Sequence, residues 1–477
     1  MTKKFAFTLT DTSIILLFIA LCGLSILSPI NSLDELWNYQ FAKASADGLR
    51  PYSEFSMLQT PGAVFFPAAL MSIFGKELIT LRIAEVIVFS AIITIFYYLA
   101  VRIIKSKSIS FSISLIMLSG HYLCAFYNYN EVNSAIILLI MLISYFADDV
   151  AYPMVGILVG ITPLIKQSTG LVVVATNLLL CITDFRKNKN NRKALLRIIL
   201  SILPSAVYFI YLIASNEYTA FYEYTIEGVL SFSHRITPLD FAAQNPINIV
   251  LLLSLFGVYI WSILTIAKGG WKSCEVECLA FSIAALSIIF PLCDYYHVLI
   301  AMVTAAPMLL ISLKYSASDT GKLLTHIICP IAAVGVTIIS VYAMFINQDD
   351  VVLSKINHYQ GLKIDRQLEI SIESVDDYIL KKESDGYKVY IADATAAAYS
   401  IPLDSYKKNW DMLLVGNLGK ASVEELLSTD GKSLFLVRKE QLNYQSHFDL
   451  IETIKSKYCK IDEVDCFEVY KKRMDDN

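Results

Sequence analysis

The sequence predicts a mainly α-helical, polytopic membrane protein with a small α/β domain at its C-terminal end. Three observations carry this. Hydrophobic residues make up 56% of the 477 positions, with a mean hydropathy of +0.55. Long apolar runs recur from the N-terminus to about position 346. Charge is also segregated: 42 of the 82 Asp, Glu, Lys and Arg residues fall in the last 131 positions. The chain therefore divides into a membrane domain, 1–346, and a water-soluble domain, 347–477. A formal net charge of −4 argues against a nucleic-acid partner. No secretory cleavage pattern is evident, and the run from Ser13 to Ile30 is long enough to remain as an anchor.

A span needs about 20 mostly apolar residues. Eleven are read near 12–30, 78–101, 108–127, 132–147, 150–165, 168–183, 194–214, 247–267, 277–293, 296–313 and 323–346. Basic residues on short loops orient them. Lys3 and Lys4, Arg102 to Lys107, Arg186 to Lys193, Lys268 with Lys272, and Lys314 with Lys322 all fall on one side, the cytoplasm. The C-terminal domain and the turn after the first span then lie outside, which in a bacterium is the periplasmic side of the inner membrane. Pro61 to Phe74 is apolar but too short to cross, and reads as interfacial or re-entrant. The region 150–183 is read as two short helices, since a single crossing would put the Arg186–Lys193 cluster outside.

The first span ends at Asn31-Ser32-Leu33-Asp34-Glu35-Leu36-Trp37. Apolar residues at Leu36, Trp37, Phe41 and Ala44 predict an interfacial helix closed by Gly48, with Glu35, Asn38 and Lys43 towards water. Asp34 at its start is a candidate base for lipid-borne substrates. Set against this, Ser32-x-x-Glu35 is a capping box, in which both carboxylates serve only the helix start. Next comes Arg50-Pro51-Tyr52. Arg50 offers a planar fork for a phosphate or a simple interfacial anchor, and Tyr52 suits the interface. Arg82 and Glu85 share a helix face and read as a structural pair.

With these residues in place the sequence resembles a known family. A long first span, an Asp-Glu pair, Gly-x-x-Pro-Tyr and a proline-bearing apolar stretch ending in Phe74-Gly75 look like the GT-C glycosyltransferases. The similarity is greatest to the branch of the aminoarabinose transferase and protein O-mannosyltransferases. Members take a sugar from a polyprenyl-phosphate carrier on the non-cytoplasmic face. Their first outer loop holds the catalytic Asp, which the match places on Asp34. Some relatives have a Lys just before the proline of the apolar stretch, where this chain has Gln59-Thr60.

The resemblance assigns further residues to the substrate. Glu35 neighbours the base. Glu131, in Tyr127-Asn128-Tyr129-Asn130-Glu131, matches a second acidic position that would place the acceptor; otherwise it caps a helix. Lys166 and Gln167 fall between two short spans. A lysine at membrane depth costs about 2.5–3.5 kcal/mol on insertion scales, so it should face a polar site suited to a lipid phosphate. Tyr296 and His297 match loosely an aromatic and basic signature before a proline, here Pro307, that contacts the donor phosphate. The loop 216–245, with Tyr222, Tyr224, His234, Arg235 and Asp240, reads as a lid or acceptor contact.

The expected activity is inverting glycosyl transfer to a lipid, glycan or protein acceptor, with Asp34 as base and Arg50, Lys166 and His297 around the leaving phosphate. The rival readings are a flippase or transporter of a lipid-linked sugar and a non-catalytic scaffold. A divalent metal ion between Asp34 and Glu131 stays open, two carboxylates being too few ligands to assert one. In the C-terminal domain strands are expected at Tyr387–Ala392, Met412–Val415, Leu434–Val437 and Cys466–Tyr470, and helices at Val375–Lys382, Ser422–Leu427 and His447–Lys457. Cys459 and Cys466 are expected to form a disulfide across a short turn.

Overall fold

The computed structural model describes residues 8–122, 126–146, 152–187, 191–230, 236–316, 319–346, 350–393, 395–405, 432–440 and 448–472. The expected strand Met412–Val415 and helix Ser422–Leu427, with His234 and Arg235, lie outside the described residues. Helices α1 to α9 are Leu9–Gly23, Asp34–Ala46, Gly62–Phe74, Leu78–Ile104, Lys107–His121, Tyr129–Phe146, Tyr152–Ile165, Gln167–Lys187 and Asn191–Ala214. Then come the short α10 Tyr218–Tyr222 and α11 Gly228–Leu230, followed by α12 Pro238–Gln244 and α13 Pro246–Lys268. Next are α14 Ser273–Ala285, α15 Tyr295–Ser316 and α16 Asp319–Phe345. The C-terminal region runs β1 Val351–Leu353, β2 Lys363–Asp365, α17 Arg366–Ser384, β3 Lys388–Ala392, α18 Ala396–Ser400, β4 Ser433–Arg438, α19 Phe448–Lys457, β5 Tyr458–Val464 and β6 Phe467–Lys472.

Each of the eleven expected spans is a helix. Among the described residues, seven helices are long and apolar enough to cross a membrane, and the chain is a multi-pass membrane protein. The segments expected at 132–147 and 150–165 are shorter apolar helices, as is Gly62–Phe74.

The chain falls into two compact units, and the second draws together three stretches of sequence. One unit holds Met1–Ser28, Arg82–Tyr208 and Ile236–Ile346; the other holds Pro29–Leu81, Phe209–Arg235 and Asn347–Asn477. Within the first unit, α7 packs on both α6 and α8, α5 on α16, and α13 on α15. Close approach is enforced by glycine. A Cβ on Gly160 would stand 2.7 Å from Pro204 Cδ, and one on Gly170 would collide with the backbone of Thr162 and Pro163. So α8 can begin tightly against the end of α7 only because residue 170 has no side chain. Outward-facing apolar residues on α9 and α13, such as Ile199, Ile210, Val250 and Ile260, remain exposed, the surface expected of a lipid-facing wall.

In the second unit a four-stranded sheet has the order β3-β4-β6-β5, with β3 and β4 parallel and the other pairs antiparallel. Phe435 and Val437 of β4 and Leu450, Ile451 and Ile454 of α19 form its core. The strands expected at Tyr387–Ala392, Leu434–Val437 and Cys466–Tyr470 correspond to β3, β4 and β6. Two expectations are corrected here. The stretch between Cys459 and Cys466 is not a turn but strand β5, in which Cys459 pairs with Lys471 while Cys466 sits in the hairpin end. That register keeps the two thiols apart, and both are free. Secondly, Glu35, Asn38 and Lys43 do not face water; all three are buried within this unit, Glu35 to 1% exposure.

Candidate active site

The acidic turn belongs to the second unit. Its cap is built by Asn31 rather than Ser32: Asn31 Oδ1 accepts the amides of Leu33 (2.9 Å) and Asp34 (3.1 Å). Glu35 Oε2 in turn accepts the Asn31 amide at 2.9 Å. The reciprocal capping logic is the expected one, shifted by one residue. Asn38 Nδ2 donates to the Asp34 carbonyl at 2.7 Å, closing the first turn. Asp34 is half-buried at the first position of α2, and Glu35 is enclosed. Of the two carboxylates, Asp34 is thus the more accessible.

Arg50 is 54% exposed and already meets two carboxylates. Its amide and Nε donate to Glu54 Oε2 (2.7 and 3.3 Å), and Nη1 lies 3.3 Å from Glu217 Oε1. Glu217, itself buried, also accepts Ser53 Oγ at 3.1 Å. The exposed Arg50–Glu54 pair is worth about 0–1 kcal/mol, so a phosphate is able to displace it, whereas Glu217 is a buried partner. Tyr52 is corrected in place: it is fully buried, at φ +69°, and not at an interface. Its hydroxyl donates to the Gln59 carbonyl (3.0 Å) and its ring packs on Phe221 and Tyr224. It shapes the loop that carries Arg50 and offers no exposed hydroxyl.

The first unit gathers the remaining candidates around Lys166. This residue is the single break between α7 and α8, and only 4% of it is exposed. Its Nζ donates to Asn130 Oδ1 (2.8 Å) and to the Ile288 carbonyl (3.1 Å), and stands 5.6 Å from the centre of the Tyr129 ring. All these partners are neutral. Among the described residues no carboxylate forms an ion pair with it; Asp294 lies only within longer electrostatic reach. Asp294 Oδ1 is occupied by His297, accepting its amide and meeting Nδ1, both at 2.8 Å. Tyr296 stacks on Phe126 (5.1 Å) and meets His297 edge-on. Gln167 opens α8 and is half-buried. Lys166, Tyr296 and His297, far apart in sequence, therefore belong to one polar neighbourhood. Asn130 and Asp294 complete it, although sequence reasoning did not single them out; their signal was a polar residue beside a candidate charge.

Glu131 turns elsewhere. It follows Asn130 by one residue, about 100° around the helix, and its partner is His121 at the end of α5. His121 Nδ1 lies 3.8 Å from Glu131 Oε1, and Nε2 lies 2.5 Å from Glu85 Oε1. Ser25 Oγ donates to Glu85 (3.1 Å), and the His121 ring stacks on Phe89. His121 is a buried ionisable residue that the sequence reading did not single out, although an ionisable side chain at membrane depth is itself a signal. Among the described residues no group of three or more His, Cys, Asp or Glu side chains is arranged to hold a metal ion.

No protein-family model and no curated protein matches the sequence. Solved structures do match the fold. ArnT from Cupriavidus metallidurans bound to undecaprenyl phosphate aligns over 97% of this chain and 97% of its own, at 10% identity and a TM-score of 0.58. The same protein in the apo state gives 10% identity, 97% and 98% coverage and a TM-score of 0.60. The apo oligosaccharyltransferase of Archaeoglobus fulgidus aligns over 87% of this chain and 66% of its own, at 11% identity and a TM-score of 0.51. The chain has the GT-C fold of these proteins.

Proposed function

We propose that this protein is an integral membrane glycosyltransferase that moves a sugar, with inversion, from a polyprenyl-phosphate carrier to a lipid, glycan or protein acceptor. The reaction takes place on the periplasmic face of a bacterial inner membrane. Asp34 takes the proton of the acceptor hydroxyl as it attacks the anomeric carbon. The phosphate that departs is met by the positive charge of Lys166, with Arg50, His297, Tyr296 and Gln167 as further proposed contacts. Glu35 holds the turn in shape.

One observation carries the reading. A buried lysine that, among the described residues, bonds to two neutral oxygens sits in a chain with the fold of an undecaprenyl-phosphate-bound protein. Burying an ammonium without a counter-charge is costly unless a ligand supplies the charge. The test is titration of undecaprenyl phosphate into the purified protein. Lys166→Met removes a charge-assisted hydrogen bond, worth about 1.5–3 kcal/mol, and should weaken binding about 10- to 100-fold. Mass spectrometry of envelope glycans from a deletion strain should in parallel show one glycan lost. Unchanged binding by Lys166→Met, or an unchanged glycan profile, overturns the proposal.

A further inference from the structure

The segment 350–405 of the C-terminal region grips the helix that carries the acidic turn. It does so at three points along that helix. Ile30, one residue before the capping Asn31, donates its amide to the Lys363 carbonyl at 2.8 Å. In the middle of α2 the Tyr39 ring lies against the His358 ring, 6.4 Å between centres. In its last turn, Lys43 Nζ lies 2.6 Å from Asp404 Oδ1 and 3.3 Å from Asp47 Oδ2. Asp404 Oδ1 also meets His358 Nε2 at 2.9 Å, and His358 Nδ1 faces Glu77 Oε1 at 3.4 Å. The His358 carbonyl accepts the Leu78 amide at 3.1 Å.

We propose that this segment is a positioning element for Asp34, holding α2 through the chain of side-chain contacts Lys43–Asp404–His358–Glu77. The proposal rests on the transferase reading. Left alone, α2 has 13 residues, within the range of about 12–15 below which isolated helices are marginal in water. Its order must come from what covers it. Lys43 is 5% exposed, so its charge is tolerated only because Asp404 and Asp47 are fixed beside it. Burial by itself would raise the Asp404 carboxyl, but Lys43 and His358 outweigh it and hold it below the usual carboxylate range. Asp34 sits nine residues, about two and a half turns, before Lys43 on the same rigid rod. Freedom at the clamped end becomes misplacement at the base, and a displacement near 1 Å is able to cost about 100-fold in rate.

The experiment pairs hydrogen exchange with transfer in the full-length protein. Asp404→Asn keeps size and removes the shared charge. Amides of 36–44 should exchange at least tenfold faster while those of β3 and β4 do not change. The rate of transfer, followed in membranes carrying their native lipid-linked donors, should fall about tenfold, with affinity for undecaprenyl phosphate unchanged. Lys43→Met should do the same and Lys43→Arg should restore both. If Asp404→Asn does not fold, His358→Gln, which leaves the Lys43–Asp404 pair in place, gives the same readouts. Unchanged exchange in α2 overturns the proposal, as does faster exchange with transfer at the wild-type rate. Asp34→Asn is measured alongside: wild-type transfer by that variant removes the base reading, and exchange alone then decides whether the segment holds α2.

Discussion

Cations in the membrane unit follow two opposite rules. At the helix ends expected to face the cytoplasm, three described cations each have a carboxylate against them: Arg197 is buried, whereas Lys107 and Lys314 are more exposed and stand beside the buried Asp11 and Glu275. Lys107 meets Asp11 at 2.8 Å, Arg197 meets Glu277 at 2.5 Å, and Lys314 meets Glu275 at 3.0 Å. Arg197, 1% exposed, also donates to Asn177 and stacks its guanidinium 4.5 Å over Tyr152. These are closed accounts of charge that tie neighbouring helices together. Lys166 is as deeply buried, yet its partners are an amide oxygen and a carbonyl. The paired charges hold the fold together, whereas Lys166 is the residue proposed to meet the donor phosphate.

The largest effect expected is at Asp34, the proposed base. Asp34→Asn preserves size and the Asn31 cap, so expression and melting should match the wild type. Transfer should fall by about 10²–10⁴-fold, the usual loss for a general base. Near-normal turnover in purified protein would show that the acidic turn only caps α2, whatever Lys166 binds.

The comparison breaks most directly on matched methionine substitutions. Arg197→Met leaves the half-buried Glu277 without its cation, and breaking a buried pair typically costs up to about 3–5 kcal/mol. Lys166→Met leaves only neutral groups behind, so thermal stability in detergent should be unchanged or higher. If the two variants melt alike, the distinction between structural and functional cations fails.

Gly170→Ala tests the backbone that presents Lys166. A methyl there meets the Thr162–Pro163 backbone, so α8 has to shift away from α7. Overpacking of this sort costs about 1–3 kcal/mol. Lipid-phosphate affinity should drop together with stability, whereas Ala at Gly257, where nothing lies within 4 Å, should leave both unchanged. Calorimetry and titration on the two variants separate these outcomes.

What was legible in the sequence follows the range of the interaction that decides it. Spans are written in local hydropathy, so α1, α4, α9, α13 and α15 fall close to their expected places. The break at Lys166 was visible because a charge interrupts an apolar run between Pro163 and Gly170. Strand β5 was missed because its interior, 459–463, is exposed and carries no alternating apolar pattern. Burial of Glu35 and Lys43 was invisible because their cover comes from residues about 320 to 360 positions later in the chain. Tyr52 looked interfacial for the same reason: Phe221 and Tyr224 arrive from the far side of the sequence. Asn130 and Glu131, adjacent in the chain, serve different clusters, a division that only helical geometry reveals.

An unpaired buried charge outside the residues proposed to meet the phosphate is the control that the comparison still needs, and α17 supplies one. Asp376 has a buried carboxylate oxygen with no hydrogen-bond partner, and burial, with the neighbouring Asp377 charge, pushes its acid up to about 8. In the unfolded chain the same group titrates near 3.8. Between these values the folded state holds a proton that the unfolded state has released. Stability is therefore highest below about pH 4 with respect to this group, and declines as pH rises towards 8. Asp376→Asn should remove that decline. The expected gain at pH 8 is about 1–3 kcal/mol, the usual relief of an unsatisfied buried group, and close to nothing at pH 4. Hydrogen exchange of α17 amides at the two pH values reads it out in the intact protein. Lipid-phosphate binding should not move, since Asp376 is not among the residues proposed to meet the phosphate. If Asp376→Asn instead lowers lipid-phosphate binding as Lys166→Met does, an unpaired charge marks strain anywhere in this chain, and its presence at Lys166 loses its meaning.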